Sequence, residues 1–536
     1  MLDMPVSGVP DGGLSLEIPR TRGFPRMRVR FLIPTVLTAL LLALGAFPVS
    51  AAPQGTLSLA EGEDFTFAYS TSDPHATNWI GLYRSSGGGP VEEEYVAPSL
   101  VWEYAPEAEG TVRLSADSLE PGSYTAFFLA RDGYAWLAEP IEVRLSDEGP
   151  ISFPVEGATL HNARQGQAYE ARLGGLVSGA GAEFTKVSGD AWVEVAADGT
   201  LSGTPRASAR REPGASRPDR SSAMVTVEAT GEDGSSARLD VTVPVRRHNE
   251  PLVDELGVMS LNTWHGGTQV NGYHEKQVRF LLESGADVVG LQETQGTHAV
   301  RLAQALGWHH WQGSGSLGVI SRYPIVEEYG EVNASGGVRI ALDGEESQVN
   351  LWNVHLGYTP YGPYDFCFDG MDVDRVLERE AESGRTPQIT DTLAAMSDQV
   401  DAADEVPVLL VGDFNAPSHL DWTEELREKN CGYADVPWPT SVLPTEAGFT
   451  DSYRVAHPDP VSSPGLTWSP LFPFHEGSTG PVEPQDRIDF VYHAGDLTVR
   501  ESQDLVVGDP APAPGHADNE WTTDHAAVLT FYSLTS

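Results

Sequence analysis

Basic residues and cysteines are scarce in this 536-residue chain. Only 33 Lys and Arg stand against 77 Asp and Glu, and Cys367 and Cys431 are the sole thiols. The formal charge of −44 repels polyanions, which disfavours sequence-independent grip on long nucleic acid and favours solubility at high salt or outside the cell. Between Pro251 and Ser536 there are 13 basic and 44 acidic residues, hence −31 for that stretch alone. The two cysteines match no zinc-ligand spacing. No Gly-x-Ser-x-Gly stretch occurs, so a serine nucleophile elbow is excluded. Apart from Phe31 to Phe47, no apolar run is long enough to span a bilayer.

That run follows Arg28-Val29-Arg30 and ends at the small-residue pattern Val49-Ser50-Ala51. It is short, contains Pro34 and Thr35, and has no basic residues after it, so it reads as a secretory signal rather than an anchor. Residues 1–52 form the signal region, with 27–52 from Met27 the functional segment. The expected location is extracellular, with no integral membrane span after cleavage. In an exported chain, Cys367 and Cys431 are expected to form one disulfide.

Residues 53–147 read as short strands broken by turns, a β-sandwich accessory module. Its Trp79, Tyr83 and Trp136 are either buried sandwich aromatics or carbohydrate-facing platforms. Residues 150–246 form a second all-β module, in which Asp198-Gly199 signals a tight hairpin. Arg206 to Ser222 is rich in Arg, Pro and Ser and reads as a mobile loop, and Arg246 to Glu250 as a polar linker. From 252 to 533 the pattern changes to alternating helices and apolar strands, which implies a layered α/β domain.

Polar residues close several apolar runs in this last region. They are Asn262 in Ser260-Leu261-Asn262-Thr263-Trp264, Glu293 in Leu291-Gln292-Glu293-Thr294, and His355 in Asn353-Val354-His355. Asp413 and Asn415 stand in Val411-Gly412-Asp413-Phe414-Asn415, Asp489 in Asp486-Arg487-Ile488-Asp489, and Asp524 and His525 in Thr523-Asp524-His525. Strands that end this way deliver carboxylates, amides and imidazoles to a shared mouth, a set suited to a hard divalent cation and a phosphate.

In this order the segments resemble the endonuclease/exonuclease/phosphatase superfamily, related to pancreatic deoxyribonuclease. The resemblance covers residues 252–533. It implies a four-layer α/β sandwich, two packed mixed β-sheets flanked by helices, with the site at one end of the sheets. It also implies Mg²⁺ (or Mn²⁺) held by Glu293 with Asn262, and Asp524 as a second-metal or outer ligand. Asp413 and Asn415 would place the attacking water and phosphate oxygens. His525, fixed by Asp489, would contact the phosphate, and His355 would protonate the leaving oxygen. Residues 78–83 resemble a strand of small immunoglobulin-like accessory modules, and residues 188–205 resemble immunoglobulin-like repeats of exported bacterial proteins.

His265, beside Gly266-Gly267, and His419 are further candidates to line the substrate site. Arg322, Arg385 and Gln388 read as structural supports. The segment Gly357 to Gly384 carries Tyr358, Tyr361, Tyr364, Phe366 and Phe368 around Cys367, and reads either as a self-packed loop or as a cap over substrate or lipid. The expected activity is metal-dependent hydrolysis of a phosphodiester or phosphomonoester. The substrate is a small molecule, a lipid headgroup or a nucleic acid, and the β-modules are candidate surface or carbohydrate contacts. The alternatives are a DNA or RNA nuclease, or a non-catalytic adhesion protein on the same scaffold.

Overall fold

The computed structural model describes residues 55–534 apart from 61–64, 86, 92, 115–118, 120–121, 146–148 and 207–220. The signal region and most of the Arg206 to Ser222 segment therefore lie outside the described residues. The first module is two antiparallel sheets: Thr56–Leu59, Thr66–Ser70 and Glu109–Arg113 in one, and Val101–Tyr104, Trp79–Arg84, Gly122–Leu129 and Ile141–Leu145 in the other. They enclose a core of their own around Phe67, Ile80, Leu82 and Phe128. Trp79 and Tyr83 are buried beside Phe127 rather than presented to solvent, which removes them as carbohydrate platforms.

The second module is also built from two sheets. Its Asp198-Gly199 hairpin joins Val193–Val195 to Thr200–Gly203, with Gly199 at a φ of 82° that a side chain would strain. The expected polar linker after it is not loose. Arg246 is the last residue of strand Ser236–Arg246 and pairs with Asp254. Arg164 pairs with Asp343, and Arg322 donates to the Thr159 carbonyl at 2.7 Å. A continuous core runs from Leu201 and Val241 of this module to Leu281, Leu302 and Leu306 of the α/β domain. Burying that much apolar surface packs the second module and the α/β domain into a single body. A cleft of about 1080 Å³ between them is lined by Tyr169, Arg322 and His309, away from the strand-end carboxylates.

The α/β domain holds two six-stranded mixed sheets. The first has the strands beginning at His309, Gly318, Val288, Glu255, Ala527 and Thr498 in that order; the second, those beginning at Ile325, Ser335, Gln348, Val408, Asp489 and Thr450. Val258, Val288 and Val319 of one sheet face Val338, Leu351, Val411 and Val491 of the other. Helices Tyr273–Ser284 and His298–Leu306 cover the outer face of the first sheet, and helix Arg385–Ala395 that of the second. Strands buried on both faces explain why Val406 to Val411 read as one unbroken apolar run. Register does the rest. His355 pairs with Asp413 in a parallel ladder, and Asp413 pairs with Asp489 in an antiparallel one, so three polar residues end abreast.

The segment Gly357 to Gly384 is not a loop but two helices, Gly362–Cys367 and Val373–Glu382. Phe366 packs against Trp422, Tyr433 and Trp438, and the Cys367–Cys431 disulfide staples it there. Arg385 supports it by bonding Glu380 and the carbonyls of Gly357 and Pro360. Only Tyr358 and Phe368 of its aromatics are exposed.

Candidate active site

The strand ends bring eight of the ten candidate residues to one mouth. Asn262, closing strand Glu255–Asn262, points its amide nitrogen at Asp413 Oδ2 (3.0 Å), Glu293 Oε1 (3.4 Å) and His525 Nε2 (3.4 Å). Asp413, closing strand Val408–Asp413, accepts from the backbone N–H of Asn415 at 2.8 Å, and the Asn415 side chain reaches back to Asp413 and to the Leu356 carbonyl. His355 Nε2 lies 3.6 Å from Asp413 Oδ2, while its Nδ1 is held by Ser316 Oγ at 2.8 Å. His525 Nδ1 is 2.8 Å from Asp489 Oδ2, and its Nε2 is 3.7 Å from Asp413 Oδ2.

Charge follows from burial and neighbours. Burial pushes Asp413 up, helped by Asp489 and opposed by His525 and His355, and the net shift is upward. Burial alone would depress His525, but Asp489 and Asp413 outweigh it and hold the ring well above the ordinary histidine range, as an imidazolium. Burial pushes Glu293 up too, yet His355, the His265 backbone N–H, His265 and His525 together bring it below its ordinary value. Asp524 is pushed up to about 7 by burial and by Glu293, against His525.

Two observations bear on a cation. Among the described residues, Asp524 Oδ1 and Asp489 Oδ1 are buried without a hydrogen-bond partner, an arrangement that a water or a cation beside them would satisfy. The Asn262 amide meanwhile donates to both Asp413 and Glu293, which draws two carboxylates to one point. Asp413, Asp489 and His525 form the tightest trio of ligand atoms, but His525 Nδ1 is already occupied by Asp489. Glu293, Asn262 and Asp524 on the other side make an oxygen-rich set whose chemistry would suit a hard cation.

His265 also belongs to the mouth. Its backbone N–H donates to Glu293 Oε2 at 2.7 Å, and its exposed ring lies 3.5 Å from the same oxygen. Trp264 and His265 are both left-handed, with φ of 47° and 54°, as are Glu293, Gln295 and Asn415. Non-glycine residues are held this way only where the surroundings impose it. His419 does not join the group: its Nδ1 and backbone N–H both meet Ser441 Oγ at 2.8 Å.

Sequence reading missed three supports. Ser316 sits in a Gly-Ser stretch with the look of a generic loop. Thr523 Oγ1 donates to the Asn262 carbonyl at 2.8 Å, and its place beside Asp524 and His525 was the available signal. Trp468 lies 5.1 Å from the His525 ring but ends an unremarkable Leu-Thr-Trp run.

The model of the Endonuclease/Exonuclease/phosphatase family matches residues 259–525. An uncharacterized protein of Caenorhabditis elegans is 32% identical over 290 residues, which span 52% of this chain and 91% of the relative. Similar solved structures include truncated Caenorhabditis elegans TDP2, 15% identical over 52% of this chain and 98% of that one, with a TM-score of 0.35. The human nocturnin catalytic domain is 16% identical over 53% and 97%, with a TM-score of 0.33. The chain belongs to the endonuclease/exonuclease/phosphatase family, whose members are hydrolases of phosphoester bonds.

Proposed function

We propose that this protein is a secreted, Mg²⁺- or Mn²⁺-dependent phosphoesterase that cleaves a small phosphodiester by direct attack of water. The observation that carries this reading is the convergence of Asn262, Asp413 and His525 within hydrogen-bond and ion-pair distance, with Asp489 fixing the imidazole. Glu293, Asn262 and Asp524 would hold the divalent cation, which would supply charge neutralisation at the non-bridging phosphate oxygens. Asp413 and Asn415 orient the water, and Asp413 takes its proton as the new P–O bond forms. His525, already cationic, faces the phosphate charge. His355, positioned by Ser316, gives a proton to the departing oxygen as the old P–O bond breaks.

The Cys367–Cys431 disulfide supports an oxidising, extracellular destination. The two N-terminal β-modules are proposed to be immunoglobulin-like, the second acting as a rigid base for the hydrolase. Turnover of bis-p-nitrophenyl phosphate should vanish with EDTA and return with Mg²⁺. Glu293→Ala should lower kcat by at least about 10²-fold and weaken Mg²⁺ binding in a calorimetric titration, whereas His525→Ala lowers kcat alone. Metal-independent turnover, or near-normal activity of folded Glu293→Ala, rejects the assignment.

A further inference from the structure

A cavity of about 180 Å³ lies where the first β-module meets the α/β domain. Tyr83, Arg84 and Leu100 of the module wall one side, and Gly266, His298 and Arg301 of the domain wall the other. Among the described residues no carboxylate lines it, in a chain that carries 77 acidic residues.

Two polar atoms of these walls are unsatisfied. Among the described residues, Tyr83 Oη and His298 Nδ1 have no hydrogen-bond partner, although the two residues are only 2% and 1% exposed. Ser99 stands close to the phenol but outside hydrogen-bond geometry. The Tyr83 ring itself is packed edge-on against Phe127 at 5.4 Å, which leaves only its hydroxyl to offer. His298 is fixed from behind: its Nε2 lies 2.5 Å from Gln277 Oε1, and Gln277 Nε2 donates to Thr522 Oγ1 at 3.1 Å. That chain puts the ring proton on Nε2 and leaves a lone pair on Nδ1. Burial, then Arg301, His274 and Arg84, hold the imidazole well below the ordinary histidine range, so it stays neutral. On the cavity side, a Cβ added at Gly266 would stand 3.6 Å from the imidazole Cγ. Buried polar atoms left unpaired cost free energy, and folded proteins keep few of them.

Those two atoms select the occupant. An anion would set its own lone pairs against Nδ1, and a cation is opposed by Arg84 and Arg301. A hydrocarbon leaves both atoms unpaired. Hydroxyl groups satisfy both, since they donate to Nδ1 and exchange a hydrogen bond with the phenol. The volume is that of about six waters at ~30 Å³ each, room for a single ring with its hydroxyls. Pro98 and Leu100 give the C–H face of such a ring an apolar surface. We propose that the cavity binds the neutral, polyhydroxylated ring of a sugar, gripped jointly by the first β-module and the α/β domain. Neutrality also suits a chain of charge −44, which repels acidic glycans. The site does not depend on the phosphoesterase reading, because Tyr83 and His298 take no part in the hydrolysis.

The test is saturation-transfer NMR on the whole protein with the methyl glycosides of glucose, galactose and N-acetylglucosamine, with cyclohexanol and inorganic phosphate as controls. At least one glycoside should bind, and neither control should displace it at equal concentration. Tyr83→Phe removes an unpaired hydroxyl, so it should fold as well as the wild type while weakening that glycoside about tenfold, the scale of one lost hydrogen bond. Ala97→Trp fills the cavity from a half-buried loop position and should abolish binding. No binding of any of the three glycosides means that the two atoms meet only water, and overturns the proposal. So does displacement by phosphate, which marks an anion site, or by cyclohexanol, which marks a merely apolar one. Unchanged glycoside binding in either variant overturns it as well, because the sugar then sits elsewhere.

Discussion

His525 and Asp489 meet at 2.8 Å, Nδ1 to Oδ2, with both side chains buried. Asp489 thereby fixes which imidazole nitrogen faces Asp413 and helps keep the ring protonated. Asp489→Asn should lower the midpoint of the His525 titration followed by NMR, because the charge that stabilises the imidazolium is gone. It should also cut kcat by about 10²-fold or more. An unchanged midpoint would show that Asp489 only fills space.

Asp486 offers a test of pH-dependent stability. Burial raises its pKa from 3.8 to about 6, although Trp422 Nε1 and Tyr361 Oη donate to it. A carboxyl raised on folding binds its proton more tightly in the native state. Its contribution is therefore fully present below the unfolded pKa and is lost as pH rises from about 4 through about 6. The loss amounts to about 3 kcal/mol at pH 7, by 1.36 kcal/mol per unit. Asp486→Asn can accept from Trp422 and donate to Tyr361 without the charge. Denaturant melts should show the variant equal to wild type near pH 4 and more stable at pH 7. A wild-type stability that rises between those values refutes the sign.

The Cys367–Cys431 bridge joins residues 64 apart with Cα atoms at 5.2 Å. Replacing both by Ser should cost about 2–4 kcal/mol, read from the shift in denaturation midpoint, because the unfolded chain regains loop freedom. Unchanged midpoints would mean that the packing of Phe366 alone holds the insert.

Net charge leads to a prediction about substrate size. With −31 over residues 251–536, the domain lacks the field that gives non-specific DNA binding. Per scissile bond, kcat/KM on a small phosphodiester should exceed that on duplex DNA in the same buffer at moderate salt. Faster cleavage of the duplex places the protein among the nucleases.

Much of the site was legible because an apolar run followed by one polar residue has a single meaning at the end of a buried strand. Asn262 and Asp413 close their strands and Glu293 follows one, whereas Asp489 opens its strand, and ladder register then sets Asp413 between His355 and Asp489. Residues that act from loops carried no such mark: Ser316 and Trp468 acquire their roles only when distant segments meet. His419, close to Asp413 in sequence, bonds Ser441 through its backbone N–H and Nδ1 rather than a strand-end carboxylate. The insert after His355 looked like a loop because Pro, Gly and Tyr mask its periodicity. Asp372, accepting from the Arg375 N–H, nonetheless caps a real helix there. The base of the hydrolase was also hidden. Arg246 stood in what read as a polar linker and Arg322 read as a structural support, but together with Arg164 they tie the second module to the domain.

Five left-handed residues gather around one mouth, Trp264, His265, Glu293, Gln295 and Asn415. Each holds conformational free energy of about 1–3 kcal/mol that a glycine would release. The hydrolase is therefore less robust than its packed sheets would allow. Selection for heat resistance alone would drift these positions toward glycine. Such a variant, His265→Gly for example, would melt higher and keep the backbone N–H that donates to Glu293, but it would lose the imidazole beside the same carboxylate. Durability and turnover pull against each other at this turn.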